Sequence, residues 1–248
     1  MFENFPKTRK PLPAEYQAIY ESFYKSNRNG ESAASGAAQK MERWLHKKVA
    51  ADTRGLSGRK TLEIGAGTLN QLNFERDFSH YDIIEPFKAL YEGSLKLDKV
   101  RKIYADISEV AQEFGNERER EKYDRIISCA VLEHILDLPS LVANACLLLK
   151  TGGVFSASIP SQGRFLWTLG YKATTGLEFA LKYRLNYDTI MNYEHCNDQR
   201  EIIEVCRYFF KSVEKSLFGI CDELSLYTHL SCREPDTQRA REFLSGRK

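Results

Sequence analysis

The sequence has little of what would take it out of the ordinary globular class. No apolar run approaches the roughly 20 residues that a membrane-crossing helix needs, and the longest, around Leu141 to Leu149, is far too short. The first residues, Met1-Phe2-Glu3-Asn4-Phe5-Pro6-Lys7, contain no apolar stretch of a secretory signal. Neither sign of charge dominates. A net charge of +2 gives no global electrostatic reason to bind nucleic acid or an anionic membrane. The six cysteines, at 129, 146, 196, 206, 221 and 232, form no Cys-x-x-Cys and match no zinc spacing. Most lie in apolar runs, where a free thiol behaves as a small hydrophobe. These absences imply a soluble protein in a reduced, cytoplasmic setting, with no structural disulfides, no bound metal and no transmembrane segment. Internal repeats and low-complexity blocks are also lacking.

What is present suits one large α/β domain with appended segments. The chain has 248 residues, 42% of them hydrophobic, enough for an ordinary core. Residues 1–57 read as an N-terminal helical lid or extension. Its first dozen residues, rich in Pro and Lys, are expected to be loose. Tyr16, Ile19, Tyr20, Phe23 and Tyr24 then recur at helical spacing. A polar loop from Asn27 to Gly36 follows, and Met41, Trp44, Leu45 and Val49 mark a second helix. On that helix His46 lies four residues after Glu42, which predicts a Glu–His pair on one face. The sign-alternating run Glu117 to Lys122 reads as solvated surface.

From residue 58 to 233 strands and helices alternate. Candidate strands are Thr61–Ile64, Tyr81–Ile84, Arg101–Ala105, Arg125–Cys129 and Val154–Ile159, with helical stretches such as Leu138–Leu149 between them. That alternation predicts a doubly wound, mainly parallel sheet. Pro160 closes the fifth strand. Residues 161–196 then interrupt the pattern with aromatic and basic residues and read as an inserted helical cap. Asn197 or Asp198 caps the next helix, whose apolar positions are Ile202, Ile203, Val205, Cys206, Phe209 and Phe210. Two last strands, Ser212–Leu217 and Leu224–Cys232, are too close to be anything but an antiparallel hairpin. The fold class is therefore a seven-stranded, mainly parallel sheet ending in such a hairpin. Residues 234–248 read as a tail.

The chemistry gathers at the strand ends. The first strand runs into Leu62-Glu63-Ile64-Gly65-Ala66-Gly67, a turn where glycine lets the backbone bend sharply and approach a ligand. A helix is expected to follow and to aim its free N–H groups at that ligand. Glu85 ends the second strand, Asp106-Ile107 follows the third, and Cys129 ends the fourth. In a doubly wound sheet these ends converge on one crevice. An acid after the second strand can accept both hydroxyls of a ribose. A carboxylate after the third can accept the exocyclic amine of adenine, although Asp106 equally suits a helix cap. An acid at the glycine turn can face an amino-bearing ligand. Together these describe an adenosine with a cationic, amino-acid-like tail, S-adenosylmethionine. A dinucleotide would need a third glycine at position 70, where Asn70 stands.

These motifs, with Tyr123-Asp124-Arg125-Ile126-Ile127-Ser128, Leu132-Glu133-His134 and Leu149-Lys150-Thr151-Gly152-Gly153-Val154-Phe155, resemble a class I S-adenosylmethionine-dependent methyltransferase. The resemblance covers roughly Lys60 to Arg233. It implies cofactor contacts from Glu63, Gly65, Gly67, Glu85, Asp106, Ile107 and Cys129. One departure stands out: the family often carries a third glycine where this chain has Leu69. His134, early after the fourth strand, and His195, where the cap rejoins the sheet, are the candidate bases. They are isolated in sequence and form no metal-ligand pattern. The cap, with Phe165, Trp167, Tyr171, Phe179 and Tyr183, suits a small-molecule or glycan acceptor, with O-methylation favoured. Two rival readings are a catalytically silent cofactor-binding partner and an RNA methyltransferase. The latter would need a basic stripe of Arg164, Lys172, Lys182 and Arg184.

Overall fold

Runs such as Ile126-Ile127 place apolar side chains on both sides of a strand, and such strands are stable only in a sheet covered on two faces. The computed structural model, which describes residues 2–20, 36–53, 55, 57–114 and 122–247, has that architecture. Its strands are β1 (Arg59–Ile64), β2 (Phe78–Ile84), β3 (Lys102–Tyr104), β4 (Tyr123–Cys129), β5 (Leu149–Pro160), β6 (Phe210–Gly219) and β7 (Ser225–Pro235). They form one sheet in the order β3-β2-β1-β4-β5-β7-β6. The first five pair in parallel, and β7 inserts antiparallel between β5 and β6. The order reverses between β1 and β4, which puts a crevice beyond their carboxyl ends.

One face carries Leu62, Ile64, Ile126, Phe155 and Ile159. It is covered by α3 (Ile107–Phe114), α4 (Leu138–Leu148), α8 (Gln199–Phe209) and α9 (Thr237–Ser245). α9 lies in the segment read as a tail. Asp236 caps it, and Ala240 is fully buried. The cap between β5 and α8 is helical, as expected: α5 (Phe165–Tyr171), a π-turn (Lys172–Gly176), α6 (Leu177–Tyr183) and α7 (Asp188–Glu194). Of the two capping candidates for α8 it is Asp198 that serves, in a reciprocal box with Glu201.

The opposite face departs from expectation. No α-helix follows the glycine turn, where a single 3-10 turn, Gln71–Asn73, takes its place. The link from β2 to β3 likewise holds only 3-10 turns, Lys88–Leu90 and Leu97–Lys99. The missing layer is supplied from upstream by α2 (Gly36–Ala51). Its Val49 packs with Leu69, Leu72 and Tyr81, and the Val49 carbonyl accepts a hydrogen bond from Arg125 on β4. Arg125 is itself fully buried against Glu75, at 2.7 Å.

The first dozen residues are not loose either. Phe2 packs edge-on to Tyr208, at 5.2 Å, and to Phe243, at 6.1 Å. Lys7 pairs with Glu201 at 2.6 Å and donates to the Cys196 carbonyl at 2.7 Å. These partners lie some 190 residues away in the chain, so local composition gave no hint of them. Residues 14–20 form α1. Its Tyr16 packs with Phe179 and Ile190 of the cap, and its Tyr20 donates to Glu194. Phe23, Tyr24, most of the expected loop from Asn27 to Gly36, and most of the charged run from Glu117 lie outside the described residues.

Candidate active site

The turn after β1 needs glycine for two separate reasons. Gly65 has φ +70°, and a Cβ placed there would lie 2.4 Å from Val131 on the segment after β4. Gly67 has φ +50°, and a Cβ there would meet nothing within 4 Å, so the loop borders open space. Leu69, at the departure from the family pattern, keeps the left-handed backbone that glycine prefers, with φ +62°. Its fully buried side chain holds it there, packed with Val49 and Leu72.

The acids sit around this turn. Glu85 follows β2, and its Oε2 accepts the Gly67 N–H at 2.9 Å while Oε1 accepts the Phe87 N–H at 3.0 Å. An ionised carboxylate has about four acceptor positions, so two remain for a ligand's hydroxyls. Glu63 lies deeper, 3% exposed, and accepts from the Tyr81 hydroxyl at 2.7 Å. Burial pushes its pKa up to about 8; the Tyr81 hydrogen bond opposes the rise, and Glu75 and Glu85 add to it. Asp106 is exposed, and its Oδ1 accepts the Ser108 N–H at 2.8 Å, the cap geometry for α3. Ile107 is buried under it. The Glu85 N–H donates to the Tyr104 carbonyl at 2.9 Å, so the carboxyl ends of β2 and β3 lie side by side. Cys129 points toward the loop side and donates to Gln71 Oε1 at 3.4 Å.

His134 and His195 do meet. Their rings are 4.9 Å apart and nearly perpendicular. Ala130, with φ +53°, bends the chain at the end of β4 and sends Leu132–His134 into a 3-10 turn facing residues 194–197. His134 Nδ1 lies 2.9 Å from the Glu194 carbonyl oxygen, which can only accept. In the neutral ring the proton is therefore on Nδ1, and Nε2 carries the lone pair. His195 Nδ1 lies 3.2 Å from Gln162 Oε1, and the indole N–H of Trp167 donates to that same oxygen at 2.7 Å. The indole fixes Oε1 as an acceptor, so His195 is also protonated on Nδ1. Burial, reinforced by His134, pulls the His195 pKa down to about 3. Trp167 stacks on His195 at 6.4 Å and meets Tyr227 edge-on at 5.3 Å.

Beside His134 sits Glu133, 2% exposed, with its pKa pushed up to about 7 by burial against the lowering influence of His134. Sequence reading quoted Glu133 within a motif but gave it no role, and it missed Gln162 and Tyr227 altogether. The adjacency of Glu133 to His134 was the one available signal. His46 is elsewhere: it faces Glu42 at 3.8 Å, as expected, and binds Gln71 at 2.7 Å.

A family profile described as a methyltransferase domain matches residues 34–207, most of the chain. The protein belongs to that methyltransferase family. The fold agrees. A Thermotoga maritima S-adenosylmethionine-dependent methyltransferase, described as a possible histamine N-methyltransferase, superposes with a TM-score of 0.53 at 14% identity, covering 87% of this chain and 98% of its own. The N-methyltransferase NodS from Bradyrhizobium japonicum, solved with S-adenosyl-L-homocysteine, gives 0.54 at 13% identity, over 90% and 100%. An O-methyltransferase family protein from Burkholderia thailandensis gives 0.56 at 12% identity, over 93% and 66%. No protein of curated function matches by sequence. The methyltransferase is of class I and uses S-adenosylmethionine. The crevice fits that donor: Gly67 borders open space, and Glu85 keeps acceptor positions free beside it. Among the described residues, no helix is long and apolar enough to cross a membrane.

Proposed function

We propose that the methyltransferase methylates a hydroxyl of a small-molecule or glycan acceptor. The observation that carries this reading is the pair of imidazoles His134 and His195, walled by Trp167 and Tyr227, on a segment whose Val131 abuts Gly65 of the glycine turn. A hydroxyl is a poor nucleophile until its proton is removed, and His134, as a neutral imidazole in contact, can take it; His195, whose basicity burial suppresses, orients the acceptor beside it. A flat aromatic wall suits a ring, whether sugar or aromatic. When bound, S-adenosylmethionine supplies a methyl carbon on a positive sulfur that leaves as a neutral thioether. Glu85 would hold the ribose diol, Asp106 and Ile107 the adenine edge, and Glu63 with the turn at Gly65 and Gly67 the methionine end; Cys129 would line the pocket. Positioning within this crevice supplies most of the expected rate gain.

The RNA reading gains no support. Arg164 is paired with Glu223 at 2.9 Å and Lys172 with Asp188 at 3.2 Å, so two of the four cations of the stripe are already engaged. Calorimetry with S-adenosylmethionine and a screen of hydroxylated acceptors for the demethylated product test the proposal. Glu85→Ala should weaken cofactor binding by about 10–100-fold, the value of a hydrogen bond to a charged group. His134→Ala should leave that affinity intact and lower kcat by about 10²–10⁴. Full turnover in the His134 variant, or exclusive product from amine acceptors, would reject it.

A further inference from the structure

We infer that Glu133, His134 and His195 form a binding site for a divalent transition-metal cation. One ligand atom from each of the three lies within 4.8 Å of the others. The donor set is prepared for a cation. Acceptors that cannot donate, the Glu194 carbonyl and Gln162 Oε1, hold each neutral imidazole as the Nδ1–H tautomer, which leaves Nε2 with the lone pair a cation needs. Such outer partners orient the histidines of metal sites in the same way. Glu133 supplies the independent observation: its Oε2 is buried and has no hydrogen-bond partner among the described residues. A buried carboxylate oxygen left bare costs free energy, and a cation removes that cost. His134 Nε2 is 3.8 Å from Glu133 Oε1, so a modest side-chain closure reaches bond lengths of about 2.1 Å.

Two imidazoles and one carboxylate favour zinc or cobalt over magnesium, which prefers oxygen ligands. Three protein ligands leave coordination positions open, the arrangement of catalytic rather than structural sites. Open positions beside the crevice would take an acceptor oxygen and make its hydroxyl more acidic. That role rests on the methyl-transfer reading above, whereas the cation site does not. With a cation in place, both histidines act as ligands rather than as free bases.

Metal-stripped protein is titrated with Zn²⁺ and, separately, with Mg²⁺ by calorimetry, and with Co²⁺ by visible absorption. One Zn²⁺ per chain and a Co²⁺ d–d band are expected, with Mg²⁺ much weaker. Glu133→Gln and His195→Ala should each weaken Zn²⁺ at least 100-fold and abolish the band. Gln162→Leu, which frees the His195 ring and the Trp167 indole stacked on it without removing a ligand, should weaken it by about 10–100-fold. His134→Gln, at a partly exposed position, serves if the buried variants fail to fold. His80→Ala, near the other end of β2, should bind normally. Zn²⁺ affinity unchanged in folded Glu133→Gln or His134→Gln would overturn the site. The same samples are titrated with S-adenosylmethionine: cation binding without cofactor binding would sink the methyl-transfer reading alone, and cofactor binding without cation binding would sink the site alone.

Discussion

Glu63 is a carboxyl group whose surroundings set its charge. In the unfolded chain it titrates near its ordinary value of 4.5, and in the folded protein near 8. Between those values the native state holds a proton that the unfolded state has released. The stabilisation this gives is complete below about pH 4.5 and is lost as pH rises through 8. Glu63→Gln mimics the protonated acid and can still accept from Tyr81. The variant should melt with the parent near pH 5 and above it at pH 8, and a pair of thermal melts across that range checks the prediction. A parallel decline in both proteins would assign the pH dependence to other groups. Leu69 teaches a related lesson at the same scale. The family often carries glycine there, yet in this chain the left-handed backbone is kept with leucine because a buried side chain anchors it.

Among the elements, α8 does more than its length suggests. Its first residue, Gln199, accepts from Arg164 of the cap and donates to Thr228 on β7 at 2.5 Å, so the helix start ties the cap to the sheet. Asp198 holds that start by accepting the Glu201 N–H at 2.9 Å while Glu201 accepts the Asp198 N–H. Asp198→Ala should cost about 0.5–2 kcal/mol, a fall of about 2–4 °C in Tm per kcal/mol for a chain of this size, followed by calorimetric melting. Asp198→Asn should recover most of it. This helix was legible from its cap and apolar spacing, both local signals. The two crossovers without α-helices were not, because the layer that replaces them, α2, comes from before the first strand.

Over the whole molecule, Arg125 is the joint between layers. It rises from β4 with no exposed surface, meets Glu75 of the β1–β2 link, and caps the Val49 carbonyl of α2. Removing one partner of such a pair leaves a bare buried charge. Arg125→Met should therefore cost about 3–5 kcal/mol, and Arg125→Met with Glu75→Gln should recover a large part; urea unfolding of the three chains checks this. Nothing near residue 125 signals that pairing in the sequence. The same limit explains what was visible in the site. Strand-end acids and the glycine turn are local and could be read off directly. The meeting of His134 with His195 depends on a cap of some thirty residues folding back, and only the folded chain discloses it together with Glu133.

The strap at the start of the chain has a consequence for biosynthesis. Lys7 must wait for Glu201, 194 residues later, which at ribosomal speeds of 5–20 residues per second is a delay of about 10–40 s. Arg9, which donates to the His134 carbonyl at 2.9 Å, waits through the emergence of the sheet's first four strands. The nascent protein can thus assemble its parallel strands early, yet the ties of Lys7 to Cys196 and Glu201 form only once those later residues have been made.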